Sequence, residues 1–264
     1  MQRLLIAVLL ILSVTACTKT NNSEVLAPKA VVEGYLVDGE PLEVKVSEES
    51  ITGTVDSPLV AISGLSLTVI NNGVHYTLDD QGNGIYRNPN LVVTPGETYQ
   101  LEFEYNNKIV SAETTIPEKP TGFTGSTTTV TPPEPPTSGN APTRPDPVLF
   151  TWNNPYNDYH LLVITCIEQD PVEISTGAIM IGGPRVFRTE PTQSNFQNLV
   201  PMRFQFYGLH EVVLYRILPE YAALYEDNGD NSNNLTTPPG NIKNGLGIFT
   251  GVNYADKLYI TVEE

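Results

Sequence analysis

The sequence predicts an all-β protein built from two antiparallel β-sandwich domains with one short helix. Apolar and polar residues alternate with period two in segment after segment, for example over 42–46 and 65–70. Short turns rich in Asn, Gly and Pro separate these segments. No window in the first half repeats its apolar residues with helical period over a useful length. Alternating segments between such turns are typical of antiparallel sandwiches.

Residues 30–117 are predicted to form the N-terminal sandwich. Its strand segments are 32–37, 42–46, 65–70, 74–78, 85–86, 99–105 and 109–115. The turns between them are Asn71-Asn72-Gly73, Gly82-Asn83-Gly84, Pro95-Gly96 and Asn106-Asn107. Residue pairs of this kind favour tight hairpins, so neighbouring segments are expected to pair in antiparallel fashion.

Residues 118–147 are predicted to be a Pro-rich linker or exposed loop between two domains. Eight prolines stand here among Thr, Ser, Gly and Asn: Pro120, Pro132, Pro133, Pro135, Pro136, Pro142, Pro145 and Pro147. Proline lacks a backbone donor and has a fixed φ, so this density disfavours a central strand or a helix interior. An extended connection is the expected result.

Residues 148–264 are predicted to form the C-terminal sandwich. Its opening resembles immunoglobulin and fibronectin type III domains, because an apolar run ends in Trp152, Asn154-Pro155 turns the chain, and a strand over 159–164 follows. We therefore expect immunoglobulin/fibronectin-III-like sandwiches. Further strands are predicted over 203–207, 211–217 and 257–262, with 168–200 as a long loop or hairpin insertion.

The short helix is predicted near 219–226. Pro219 suits the first turn of a helix, where its missing N–H has no intrahelical partner to lose. Tyr221, Leu224 and Tyr225 follow at spacings that place them on one face.

The charge of the chain excludes one class of partner. The 264 residues include 30 acidic and 14 basic side chains, which gives a formal net charge of −16. Nucleic-acid binding needs a basic stripe, so no nucleic-acid partner is expected. The same charge disfavours lying flat on an anionic membrane. The length suits one large or two ordinary domains.

The first sixteen residues read as a signal peptide. Arg3 precedes an apolar run over 4–12 that is too short to span a bilayer, and small residues follow. The segment 14–17 ends in Cys17 and resembles the lipobox of bacterial lipoproteins. The resemblance implies cleavage before Cys17, lipidation of Cys17, and a membrane anchor made by the lipid. An ordinary secretory signal is the alternative.

The residues after the cysteine predict where the anchored protein goes. Residue 18 is Thr and not Asp, which by analogy with lipoprotein sorting permits export to the outer membrane. No acidic cluster follows Cys17, so the periplasmic and the surface face both remain open. Residues 17–29 are polar and are predicted to be a tether with a reach of roughly 20 Å.

Candidate chemistry is sparse in this sequence. His75, His160 and His210 stand apart, without ligand spacing, and no Gly-x-Ser-x-Gly elbow is present. Cys166 lies in an apolar run and is expected to be buried, inert and without a disulfide partner. No catalytic, cofactor-binding or metal residue is assigned, and no enzyme is expected, although a carboxylate pair of a glycosidase remains an alternative.

Three further motifs each have a structural interpretation. Over 245–251 the glycines approach a dinucleotide fingerprint, but we expect turn glycines that let Ile248 and Phe249 reach the core. The oxygen-rich stretch 227–234 is expected to be a solvated loop, with Ca²⁺ binding as the alternative. Trp152, Tyr156 and Tyr159 are the candidates for a platform that stacks on a sugar. We expect Trp152 instead in the core with Phe150 as a close neighbour, and Tyr156 is the best exposed candidate for such stacking.

The ordered set of motifs resembles the Bacteroidetes outer-membrane lipoproteins called domain of unknown function 4249. The motifs are the lipobox, the run 31–36, Gly84-Ile85-Tyr86, the turn 95–99, the strand 149–152 and the run 241–249. The resemblance implies an accessory lipoprotein encoded beside a TonB-dependent outer-membrane receptor. It supplies no catalytic residues.

Two functions are therefore expected from different classes. The first is a non-catalytic binding or accessory component of a TonB-dependent nutrient-uptake system, held in the outer membrane by its lipid. The alternative is a surface structural or adhesion module. Segments 168–200 and 227–244 are the loops expected to make contact with a partner, because loops between strands carry recognition on such scaffolds.

Overall fold

The structure is a computed structural model that describes residues 27–49, 59–132, 145–174, 183–226 and 240–264. These residues form an all-β fold, as the sequence predicts, with one α-helix, α1 (Pro219–Glu226), and a 3₁₀ turn at Pro201–Arg203. The strands are β1 (Ala30–Val37), β2 (Pro41–Glu48), β3 (Val60–Ala61), β4 (Leu67–Asn71), β5 (Val74–Gly82), β6 (Ile85–Val92), β7 (Thr98–Tyr105), β8 (Lys108–Thr115), β9 (Thr124–Gly125), β10 (Thr129–Val130), β11 (Val148–Thr151), β12 (Tyr159–Cys166), β13 (Val186–Arg188), β14 (Phe196–Leu199), β15 (Gly208–Ile217), β16 (Leu246–Tyr254) and β17 (Leu258–Val262). No helix in the described part of the chain has the length and hydropathy needed to cross a membrane.

The N-terminal sandwich packs two layers against each other. One layer has the order β16-β1-β2-β6 and the other has the order β4-β7-β8. Strand β5 joins them, because its residues 74–78 pair with β4 and its residues 79–82 pair with β6. Period-two alternation sends one side of each strand into a shared core; in β2 these residues are Leu42, Val44 and Val46.

The hairpin turns have the backbone geometry that their residues predict. Asn72-Gly73 has φ values of 50° and 76°, and Asn83-Gly84 has 53° and 74°. Asn106-Asn107 likewise has positive φ at both residues, 49° and 59°. Two consecutive residues with positive φ make the turn whose twist matches that of the flanking strands, and Asn and Gly tolerate this region best.

The C-terminal sandwich also has two layers. The larger layer has β15 at its centre, with β12 along one edge, β17 along the other, and β13 and β10 outermost. The smaller layer has the order β14-β11-β9. Phe150 and Trp152 lie between the layers and are 0% and 4% exposed. The sequence prediction that Trp152 is buried in the core beside Phe150 is therefore confirmed.

One strand connects the two sandwiches. Strand β16 follows β15 in the chain, and its last residues pair with β15 over Val252–Tyr254. Its earlier residues, however, run parallel to β1 from Val31↔Leu246 to Val37↔Val252. The side chain of Phe249 accordingly lies in the N-terminal core. The sequence predicts this strand wholly within the domain 148–264, because alternation reveals a strand but not its neighbour.

Two glycines allow β16 to lie against β1. A Cβ on Gly247, which has a φ of 95°, would stand 2.1 Å from the Val32 carbonyl oxygen. A Cβ on Gly34 would stand 2.7 Å from Cδ2 of Phe249. The glycines over 245–251 are therefore structural, and Ile248 and Phe249 are buried as predicted.

The run 241–249, one of the motifs behind the family resemblance, also has a structural role. The Asn241 side chain accepts a hydrogen bond from the Phe249 N–H (3.0 Å) and donates one to the Phe249 carbonyl (2.7 Å). It thus pairs with the backbone of β16 as a neighbouring strand would. Asn244 has a φ of 56° and donates to the Ile109 carbonyl on β8 (2.8 Å).

The Pro-rich segment is more ordered than the prediction of a linker or loop over 118–147. Strands β9 and β10 lie within it and pair with β11 and β17. They occupy the stretch between Pro120 and Pro132, which is free of proline and rich in Thr, so its backbone donors and its side chains both suit a strand. Residues 133–144, where the prolines are densest, lie outside the described residues.

Side chains of the C-terminal sandwich hold the start of this segment. The buried Asn253 side chain donates to the Pro117 carbonyl (2.9 Å), and Arg216 donates to the Glu118 carbonyl (3.4 Å). Lys119 forms an ion pair with Asp256 (2.6 Å). These contacts, together with the β1–β16 pairing, join the two sandwiches over a broad junction.

Two local predictions in the C-terminal half differ from the structure. The segment 203–207 is not a strand: the 3₁₀ turn begins at Pro201, and beyond it Phe206 makes one isolated bridge to Glu173. Helix α1 forms as predicted, but the residues it packs are Tyr221, Ala222 and Tyr225, and Leu224 is not among them. The face of α1 that packs on the sheet is therefore rotated slightly relative to the predicted face.

Candidate functional site

The described residues do not assemble a metal centre. They contain no group of three or more His, Cys, Asp or Glu side chains that could hold an ion. His160 and His210 are 1% and 3% exposed and pack against Trp152 and Phe204, with ring centroids 5.6 and 5.1 Å apart. Cys166 is buried and free, as predicted. The stretch 227–234, considered for Ca²⁺, lies outside the described residues.

The two buried histidines predict a pH-dependent stability. Burial lowers the pKa of His160 and of His210 from the ordinary value of 6.5. As the pH falls below about 6.5, the unfolded chain binds protons at both rings while the folded chain does not, so the free energy of unfolding decreases. We expect urea unfolding to show lower stability at about pH 5.5 than at about pH 7.5.

The exposed His75 provides the control for this prediction. His75→Gln should leave the difference between the two pH values unchanged, because that ring is exposed on β5. Equal stability of the unmodified protein at both pH values would contradict a neutral, buried state for His160 and His210.

The structure separates the three aromatic residues considered as a stacking platform. Trp152 points into the core, and Tyr156 is 80% exposed in the following turn. Tyr159 lies on the opposite, outer face of the larger layer, where it packs with Leu161 and Ile217. The three side chains therefore do not share a surface, and only Tyr159 belongs to a larger aromatic group.

That larger group, which we call the tyrosine face, covers the outer side of the sheet where the sandwiches join. It contains six of the thirteen tyrosines of the chain. They are Tyr35 on β1, Tyr159 on β12, Tyr215 on β15, Tyr221 and Tyr225 on α1, and Tyr254 on β16. Buried aliphatic side chains, among them Leu161, Ile217 and Val252, form its base.

Five of the six rings of the tyrosine face contact one another in pairs. Tyr35 meets Tyr221 edge to face, with centroids 5.6 Å apart and an interplanar angle of 83°. Tyr221 meets Tyr225 at 6.0 Å, and Tyr215 meets Tyr254 at 5.8 Å. Tyr35 is 46% exposed and the other five are partly buried. The rings therefore hold one another in place while part of each surface remains open to solvent.

Helix α1 is fixed on the sheet by local contacts. The Leu218 carbonyl accepts hydrogen bonds from the N–H groups of Tyr221 and Ala222, which closes the first turn. Ala222 is 3% exposed, and its small side chain lets the helix approach the sheet closely. The Thr250 hydroxyl donates to the Glu220 carboxylate (3.0 Å) and ties the helix to β16.

The hydroxyl groups of Tyr35, Tyr215 and Tyr225 have raised pKa values and remain protonated at physiological pH. Burial, with smaller effects from Tyr221 and Glu33, raises the pKa of Tyr35. Burial and the neighbouring Tyr221 raise the pKa of Tyr225 to about 12. Burial also raises the pKa of Tyr215, which the nearby charges of Lys257 and Arg188 partly offset. These three residues thus present neutral hydroxyls that can both donate and accept hydrogen bonds.

Residue 28, near the end of the segment that is predicted to be a tether, lies at the end of the N-terminal sandwich away from this face. Asn106, at the tip of the β7–β8 hairpin, donates to the Pro28 carbonyl (2.8 Å). From there β1 runs the length of the N-terminal sandwich, and Tyr35 and Val37 lie near its far end. Eight residues of strand cover about 26 Å. The tyrosine face and the C-terminal sandwich therefore lie beyond the N-terminal sandwich, as measured from residue 28.

Sequence reasoning did not find the tyrosine face. The helical spacing of Tyr221 and Tyr225 gave part of the signal, and the chain has 13 Tyr against 8 Phe and 1 Trp. The other members lie on four strands from both halves of the chain. The crossing of β16 from one sandwich to the other brings these strands together, and that crossing has no local signature.

The fold and this surface define a class of protein: two β-sandwiches joined by a shared strand, with a tyrosine-rich face at their junction. The chain belongs to the family described as domain of unknown function (DUF4249), which matches residues 19–257. The match confirms the resemblance to domain of unknown function 4249, while the outer-membrane lipoprotein context stays a prediction. No curated protein matches the chain.

Among solved structures, a crystal structure of consecutive domains from titin is similar to this chain. The sequence identity is 10% and the TM-score is 0.21, with 90% of this chain and 67% of that chain covered. The fold assignment rests on the strands, sheets and cores described above.

Proposed function

We propose that this protein is a lipid-anchored, non-catalytic binding component of a TonB-dependent uptake system in the outer membrane. The tyrosine face is the surface that docks on the receptor. The observation that carries the proposal is the position of this face at the junction of the sandwiches, a full sandwich length from residue 28. The motif at Cys17 and the membership of the DUF4249 family support the anchor and the membrane.

The direction of the chain supports an upright arrangement on the membrane. A lipid on Cys17 would hold the start of the tether at the bilayer, and the tether reaches roughly 20 Å. The N-terminal sandwich would then stand next to the membrane, with the C-terminal sandwich above it. The tyrosine face would be raised to the height at which the extramembrane parts of a receptor are found.

The chemistry of the face suits a protein partner. Tyrosine offers a large, rigid contact area with few rotatable bonds, and it is enriched in protein interfaces and among the residues that dominate binding energy. The ring pairs are ordered before binding, which lowers the entropic cost of association. Charged residues at the centre of an interface are disfavoured, and the ring pairs Tyr35–Tyr221 and Tyr215–Tyr254 form a neutral centre here.

The proposal predicts that truncating tyrosine side chains of this face reduces the amount of receptor that co-purifies with the protein. The tag is placed at the exposed C-terminus, Glu264, and the protein is purified from native outer membranes. The unmodified protein is expected to bring a TonB-dependent receptor with it. Tyr35→Ala and Tyr221→Ala should each reduce the co-purified receptor by about tenfold or more, the effect of removing a dominant contact.

Tyr156→Ala is the matched control, because Tyr156 is the most exposed of the large hydrophobic side chains and lies outside the tyrosine face. It should co-purify with as much receptor as the unmodified protein. Equal losses for all three variants would contradict docking through the tyrosine face. An unmodified protein that purifies without a receptor would contradict the partnership and favour a surface structural or adhesion module.

A further inference from the structure

A second surface feature lies on the open side of the C-terminal sandwich. Here the chain leaves β13 in the larger layer and returns as β14 in the smaller layer, so a groove of about 550 Å³ remains between the two edge strands. We call it the arginine groove, and it is lined by 187–192, 197–200 and Arg203. Its volume falls in the range of small-molecule sites, about 300–1,000 Å³.

One guanidinium group, that of Arg203, faces this groove beside the ring of Phe187. Within the described residues, Arg203 forms no ion pair, and its side chain has no hydrogen-bond acceptor. Arg185 and Arg216, by contrast, both donate to backbone carbonyls. In a chain of net charge −16, an arginine without such a partner at a groove indicates a use other than stabilising the fold.

Arg203 is held in a defined position. Its Cζ lies 5.4 Å from the centroid of the Phe187 ring, so the ring supports the guanidinium by a cation–π interaction. This contact uses the face of the guanidinium and leaves the N–H donors at its rim available. Those donors match the two oxygens of a carboxylate or of a sulfate group.

Most of the remaining accessible lining is polar. Gln197 contributes a side-chain amide, and Thr192 and Glu190 contribute a hydroxyl and a carboxylate. Amides, hydroxyls and carboxylates are the groups that bind the hydroxyls of a ligand. Leu199 is 3% exposed and offers little apolar surface, whereas Val200 is 44% exposed and adds some. Peptide recognition usually depends on several apolar side-chain pockets, which this mainly polar lining does not favour.

We propose that the arginine groove binds an anionic saccharide, whose sugar units carry carboxylate or sulfate groups. Arg203 binds the anionic group, while Gln197 binds sugar hydroxyls. The net negative charge of the protein repels anions elsewhere on its surface, which restricts binding to this groove. This site is separate from the tyrosine face, and its binding does not depend on a receptor partner.

The test is titration calorimetry on the full-length protein in detergent. The probes are an oligogalacturonate, a sulfated dextran oligomer, an uncharged dextran oligomer and a polyglutamate of similar charge. We expect binding of at least one of the two anionic saccharides, and the comparison between them shows whether carboxylate or sulfate is preferred. The uncharged dextran should bind at least about tenfold more weakly, since it lacks the charged hydrogen bonds.

Three variants separate the role of Arg203 from general charge. Arg203→Gln should weaken binding by about tenfold or more, and Arg203→Lys should weaken it less, because lysine keeps the charge without the planar donor group. Lys108→Gln removes the same charge from an exposed position on β8 and should leave binding unchanged. Thermal unfolding should be the same for the variants and the unmodified protein, since Arg203 and Lys108 are both exposed.

Three results would overturn the proposal. The first is that neither anionic saccharide binds to the unmodified protein. The second is that Arg203→Gln and Lys108→Gln weaken binding equally, which would indicate general electrostatics. The third is tighter binding of polyglutamate than of either saccharide, which would assign the groove to an acidic peptide.

Discussion

Replacing Phe249 by alanine is expected to lower the free energy of unfolding by about 3–5 kcal/mol, the usual cost of emptying a buried aromatic site. Phe249 is 0% exposed and lies in the core of the N-terminal sandwich, although its strand continues from the C-terminal one. Its ring also rests on the backbone of Gly34, so neighbouring side chains cannot easily fill the space. Urea unfolding followed by circular dichroism measures the change.

The location of the destabilised strands distinguishes the loss of the Phe249 ring from a general loss of stability. Hydrogen exchange of Phe249→Ala should accelerate first in β1, which pairs with β16, and in β2, which pairs with β1. Phe196→Ala provides the control, because Phe196 is 47% exposed on β14, and it should cost less than about 1 kcal/mol. A cost below about 1 kcal/mol for Phe249→Ala would contradict the shared core.

Replacing Cys17 by serine is expected to move the protein from the membrane fraction to the soluble fraction. Serine has no thiol to carry a lipid, and each buried methylene of an acyl chain contributes about 0.8 kcal/mol to membrane binding. Removing two or more chains therefore removes nearly all of the affinity. Fractionation of the cells followed by immunoblotting measures the distribution.

Cys166→Ser is the matched control for this change. Cys166 is 3% exposed in the C-terminal sandwich, so it cannot carry a lipid in the folded protein. The Cys166→Ser protein should stay in the membrane fraction. If Cys17→Ser also remains there, attachment by lipid at residue 17 is wrong.

Much of the fold could be predicted from the sequence because the deciding interactions are local. Period-two alternation identifies the inward side chains of a strand, as Leu42, Val44 and Val46 show. Asn-Gly pairs at 72–73 and 83–84 adopt the positive φ values that hairpins require. Pro219 marks the start of α1 for an equally local reason, the missing N–H.

The rest depends on contacts between distant segments. Strand β16 has the same pattern whether it pairs with β15 or with β1, and the structure pairs it with both. The tyrosine face follows from that crossing, since it joins Tyr35 to a helix more than 180 residues later. The arginine groove likewise combines β13, β14 and the turn at 201–203. The sequence predicts the first two only as part of an insertion over 168–200, and it predicts a strand from residue 203.

The most direct test of the anchored arrangement is the mass spectrum of the mature N-terminus, taken from protein purified out of the outer membrane. The expected result is an N-terminal peptide that begins at Cys17 and carries the mass of acyl chains, with residues 1–16 absent. The upright orientation, with the tyrosine face held away from the bilayer, depends on this anchor. A peptide with unmodified Cys17, or a protein that retains Met1, would contradict it.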